Sequence, residues 1–273
     1  MAAREPLEVG FLTRAISFAG LIFLVAPLLV VVPISFGRSS LLQFPPREFS
    51  LRWYQAIAAD PQWLTAAGNS IRIACIVSIL STLLATMAAI GLARFRFPGR
   101  AAVQAFVLSP LIVPVIITGV GLYYLFSRLG LTGTATSLVV GHTIITLPYG
   151  VVVVTAALER FDPRLEQAAM SLGANPFQTF WRVTLPIIRP AIAVAALFAF
   201  LLSFDEVVIA IFLSGPETST VPKKMWDGIR FDLTPTLAAV STLLLALSSV
   251  IVIATELLRR RLQRRKSRMR AGE

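Results

Sequence analysis

Six runs of roughly twenty apolar residues, separated by polar stretches, constrain this chain more than any other feature. A helix of about that length rises far enough to cross a ~30 Å hydrocarbon core. The runs fall at 15–36, 73–93, 101–126, 135–158, 191–213 and 237–258 of the 273 residues. Each is expected to be helical, because lipid offers backbone N–H and C=O groups no outside partner and no alternating barrel pattern is present. Charged residues make up 14% of the chain, well below the roughly 25% of soluble domains. The first run follows Arg4 and Arg14 as a secretory signal would, but it is too long and no small-x-small cleavage site follows; a retained helix is expected. The predicted class is an all-α membrane protein with six transmembrane helices in a single domain over 1–273.

Orientation follows from the basic residues. Of 25 Lys and Arg, 17 fall at the N-terminus, in the turn at 94–100, in the segment 159–190 and in the tail. The positive-inside rule then makes both termini cytoplasmic. Directly after a span, the basic tail at 259–266 reads as a topological anchor on anionic lipid, and no nucleic-acid partner is expected. A single cysteine, Cys75, excludes an intrachain disulfide and any multi-cysteine metal site, and a single histidine, His142, excludes a multi-histidine one. Cys75 is taken as a small apolar residue buried in span two. His142, beside Gly141, reads first as a helix–helix hydrogen-bonding residue rather than a proton relay. Pro110, Pro114 and Pro148 are expected to kink spans three and four, and Gly119 and Gly121 to permit close helix packing.

Three segments lie on the external side: 37–68, with Trp53, Tyr54 and Trp63 suited to the membrane interface; a tight turn at 127–134; and a loop at 214–236. The cytoplasmic segment 159–190 is more informative. Asp162-Pro163 supplies an N-cap and a first-turn proline, and Gly173 a C-terminal cap. Asn175-Pro176 opens a second short helix with Gln178 in the capping-box position, and Leu185-Pro186 is expected to end it. Leu165, Ala168, Ala169 and Leu172 form one stripe of the first helix. Phe177, Phe180 and Trp181 on the second either pack beneath the protein's own helices or meet a partner.

The stretch Glu166-Gln167-Ala168-Ala169, Gly173 three residues on, and Leu185-Pro186 after it resembles the EAA loop of ABC importer permeases, with Gln167 standing at the family's glutamate and Glu166 just before it. The resemblance implies coupling helices between spans four and five that dock on a separate ATP-binding subunit, present in two copies. It further implies a second homologous permease, a periplasmic substrate-binding protein and residence in a bacterial inner membrane. No enzyme activity is expected of this chain, which contains no G-x-x-x-x-G-K-[ST] phosphate loop; it binds no cofactor, ATP and magnesium belonging to the partner ATPase.

Within that family, the run 203–216, with Asp205 and Glu206, is similar to permeases of spermidine/putrescine importers. Permeases for opines, 4-aminobutyrate-like compounds and aminophosphonates share much of it. Two carboxylates inside a span are costly unless they face a wet cavity or find partners. Asp205 and Glu206 therefore either line a pathway for a cationic amine, or cap backbone and pair with a neighbouring subunit. A proton-coupled secondary transporter using His142, Asp205 and Glu206 is the rival from another class, and the absence of a further intramembrane acid before Glu256 weighs against it.

Overall fold

The computed structural model describes residues 10–231, 233–250 and 253, which are almost entirely helical. Among the described residues, four helices are long and apolar enough to cross a membrane, or five if one bent pair counts as a span. The chain divides into a unit over 61–226 and a flanking unit, up to residue 60 and from 227 onward. The flanking unit holds α1 (Phe11–Ser35) and α2 (Arg52–Ala59). The indole Nε1 of buried Trp53 donates to the Gly37 carbonyl at 2.8 Å, and the Tyr54 hydroxyl meets Ser35 Oγ at 2.7 Å. Trp53 thus pins α2 to the end of α1.

The larger unit is built on α3 (Pro61–Arg94), α6 (Ala135–Glu159) and α9 (Leu185–Asp205), each packed on the other two. In lipid, helix association depends on close approach and hydrogen bonds across the seam, because tails are as apolar as leucine. Small buried residues recur every fourth position, Ser81, Ala85 and Ala89 on α3 and Ala195, Ala199 and Ser203 on α9. A Cβ on Gly150 of α6 would sit 2.7 Å from that of Ala85. Ser78 Oγ donates to the Ala196 carbonyl at 2.7 Å, Thr146 Oγ1 to Ser81 Oγ at 3.1 Å, and His142 Nδ1 meets Ser203 Oγ at 2.9 Å. His142 is therefore a helix–helix residue, between α6 and α9. Gly119 and Gly121 divide: a Cβ on the first would strike the Phe212 ring at 2.6 Å, whereas the second faces open space.

Several boundaries differ from the sequence expectation. Helix α3 begins at Pro61, not near residue 73, and its 34 residues span about 51 Å. Its polar first turns are held by the segment after Ser214: Asn69 Nδ2 donates to the Glu217 and Ser219 carbonyls at 2.9 and 3.1 Å. Cys75 is exposed on α3, not buried. Span three is interrupted: α4 (Arg100–Leu108) and a 3-10 turn (Ser109–Leu111) meet α5 (Val115–Arg128) at 102°. Pro114 brings no N–H to the ladder and excludes helical geometry at Val113, so the kink becomes a break.

After α6 come α7 (Arg164–Ser171) and α8 (Pro176–Thr179). Leu185-Pro186 does not end this second helix. A π-helical turn, Phe180–Thr184, joins α8 to α9 in one apolar helix, Pro176–Asp205. The Leu185 N–H bonds the Phe180 carbonyl, five residues back, and this wider turn accommodates the missing donor of Pro186. Span five instead stops at Asp205 and resumes as α10 (Val208–Leu213). The external loop contains an amphipathic helix, α11 (Val221–Phe231), whose Val221 N–H bonds Ser70 Oγ at 2.8 Å and whose Lys224 lies over the Trp63 ring at 4.8 Å. Span six begins in α12 (Pro235–Val250); its expected end and the basic tail lie outside the described residues.

Candidate functional site

Two places concentrate chemistry, one at each end of the long helix Pro176–Asp205. At its N-terminal end, Asp162 Oδ1 accepts from the Arg164 N–H at 2.9 Å and opens α7. Gly173, at φ +90°, closes it with paired bonds, its N–H to Met170 O at 3.0 Å and the Ala174 N–H to Ala169 O at 3.1 Å. Those two bonds satisfy carbonyls left without helical donors, as in a Schellman turn. The reciprocal capping box of Asn175 and Gln178 then starts α8, with bonds of 2.8 and 3.2 Å.

Glu166 is engaged within the chain. Its carboxylate takes both arms of the Arg94 guanidinium, at 2.6 and 2.7 Å, and accepts from the Thr184 hydroxyl. The two side chains retain 31% and 15% of their exposure, enough desolvation for the planar fork to hold strongly. Three elements meet there: the last turn of α3, the first turn of α7 and the π turn. Phe161, buried beneath, packs its ring 5.8 Å from the Arg94 guanidinium carbon. Gln167 and Ala168 remain exposed, Ala169 and Leu185 are half-buried, and Pro186 is exposed. Leu172, Phe177 and Trp181 stand 90%, 71% and 53% exposed beside them. Of the alternatives open for the rings, Phe180 is half-buried, while Phe177 and Trp181 lie on the surface. Arg94 and Thr184 escaped the sequence reading, which counted the arginine only toward topology. An arginine ending one helix and a glutamate opening a later one, both in segments expected on the same side, was the available signal.

At the other end lies a cavity of about 280 Å³ lined by Pro110–Val115, Ile145, Tyr149, Leu202 and Glu206. Both helix interruptions border it. Glu206 caps backbone, its Oε1 accepting from the Val208 and Ile209 N–H groups at 2.7 and 3.0 Å. This explains why span five breaks without a proline: the carboxylate takes donors that would otherwise continue the helix. Asp205 is exposed and has no hydrogen-bond or ion-pair partner among the described residues. Sequence reading missed Tyr149 as a neighbour of Glu206, because they sit on different helices 57 positions apart.

A family model described as "Binding-protein-dependent transport system inner membrane component" matches residues 81–268. Over 239 residues, 85% of each chain, the sequence is 36% identical to the putrescine transport system permease protein PotI of Escherichia coli K12. It is 32% identical over 254 residues to the spermidine/putrescine transport system permease protein PotC of the same organism, covering 93% of this chain and 94% of that one. Among solved structures, the fold matches a bacterial ABC transporter involved in the import of the acidic polysaccharide alginate, with TM-score 0.73 over 92% of this chain and 96% of the other. At 16% identity that likeness concerns the fold alone.

Proposed function

The chain belongs to the binding-protein-dependent transport system inner membrane components, and on that premise we propose that it carries polyamines or related cationic amines. It is a permease subunit of an ABC importer, and its relatives are permeases rather than enzymes. The observation that carries the substrate class is the 36% and 32% identity, across most of both chains, to permeases named for putrescine and spermidine. Glu206 on a cavity between helices agrees with it chemically, since a carboxylate in a span favours a cationic occupant.

In this reading one permease domain crosses a bacterial inner membrane six times with both termini in the cytoplasm. It pairs with a second, homologous permease, two copies of an ATP-binding subunit that hold ATP and magnesium, and a periplasmic binding protein. The segment from α7 to the π turn is the ATPase-docking surface, with Gln167, Ala168, Ala169 and Gly173 shaping it and Leu172, Phe177 and Trp181 as apolar anchors. Glu166 holds that surface on α3, and Leu185-Pro186 joins it to α9. ATP-driven closure displaces the docked helices as rigid bodies. Because α8 is continuous with α9, movement at Phe177 reaches Asp205 and Glu206 about 45 Å away along one 30-residue helix.

The test is ATP-dependent uptake of labelled putrescine and spermidine by the complex reconstituted with its own binding protein. Saturable polyamine uptake is expected. Uptake confined to 4-aminobutyrate-like compounds, opines or aminophosphonates overturns the substrate class, and uptake driven by a proton gradient without ATP overturns the coupling scheme.

A further inference from the structure

We infer that the cavity between the two helix breaks is a subsite for one primary ammonium group, with Glu206 as counter-ion and Tyr149 as its aromatic wall. This rests on the reading of the chain as a permease for cationic amines and adds where the cation is held. Glu206 Oε1 is occupied by two backbone N–H groups, which fix the side chain. Its Oε2 has no protein donor among the described residues. The lining contains no Lys or Arg to neutralise it.

The surroundings are built to the same sign. Leu202 and Glu206 are four residues apart where α9 ends, and Ile145 and Tyr149 are four apart on α6, so each pair lies on one face. The carboxyl end of α9, the negative pole of its dipole, lies at the break. Tyr149 lines the cavity, and ammonium groups are attracted to aromatic faces. At about 280 Å³ the cavity is at the small end of ligand pockets and suits one end of a short alkyl amine. A carboxylate and an aromatic residue at discontinuous helices form a cation site.

Glu206→Gln separates charge from capping, because the amide oxygen still accepts from Val208 and Ile209. In the reconstituted complex, Glu206→Gln and Tyr149→Leu should each assemble normally. Each should reduce putrescine uptake per complex, at saturating loaded binding protein, by about tenfold or more. A second measurement does not depend on those variants. Ile112→Cys, made together with Cys75→Ala because Cys75 is exposed, should react with a cationic methanethiosulfonate. Turnover with putrescine should slow that reaction several-fold. Wild-type uptake by both variants, or unchanged reactivity of Ile112→Cys during turnover, overturns the subsite. A wild-type complex that moves no polyamine refutes the proposed function itself, which keeps the two failures apart.

Discussion

Gly173 and Glu166 show how single residues would set the proposed docking surface. At φ +90° a β-branched side chain costs about 1 kcal/mol or more, while asparagine tolerates the left-handed region better. Nothing lies within 4 Å of a Cβ built there, so the backbone alone decides the outcome. Gly173→Val should therefore lose ATPase co-purification and Gly173→Asn should keep most of it; equal retention by both variants would show that the turn is not what aims α7. Removing the Glu166 carboxylate leaves Arg94 half-buried without its fork partner, a loss of about 1–2 kcal/mol. Glu166→Ala should lower the thermal midpoint of the purified complex and raise ATP hydrolysed per molecule imported. An unchanged ratio would mean that the ion pair does not transmit motion.

The π turn matters at the level of the element. It lets Leu-Pro lie inside a helix that patterning would end there, and it turns a docking helix and a span into one lever. Deleting Val183 should restore α-helical register and rotate everything before it by ~100° relative to α9. Phe177 and Trp181 would then leave the exposed face. Normal membrane insertion with loss of ATPase co-purification is the expected result, and intact co-purification would show that the register is immaterial. The break after Asp205 is the complementary device, made by a side chain rather than a proline, and it gives the far end of the lever a carboxylate beside a cavity.

For the whole molecule, the charge distribution predicts an orientation and the apolar exterior suits a membrane. Large hydrophobic side chains such as Phe23, Ile79 and Phe106 stand on the surface, as suits a chain whose neighbours are lipid or another subunit. Replacing the eight basic residues from Arg259 to Arg270 with Gln should leave the last span inserted, because nine Lys and Arg remain in the other segments expected on the cytoplasmic side. Protease protection of a C-terminal tag would read the topology. A flipped tag, or lost uptake by an assembled complex, would give the tail a role beyond anchoring.

What was legible in the sequence was whatever depends on neighbours along the chain. Apolar runs mark membrane helices through transfer free energy, and the caps of α7 and α8 followed from Asp162, Gly173, Asn175 and Gln178 because each acts on backbone within a few residues. The loop pattern at 166–186 likewise pointed to the family. Helix ends were less legible wherever a contact between distant segments decided them. Asn69 on the segment near Ser219 extends α3, and Thr184 on Glu166 ties the π turn to α7. Only tertiary structure brought Arg94 to Glu166, across 72 positions, and set Tyr149, the Pro110–Val115 break and Glu206 around one cavity. Hydropathy records the cost of leaving water; it does not record which polar groups find one another once the helices have packed.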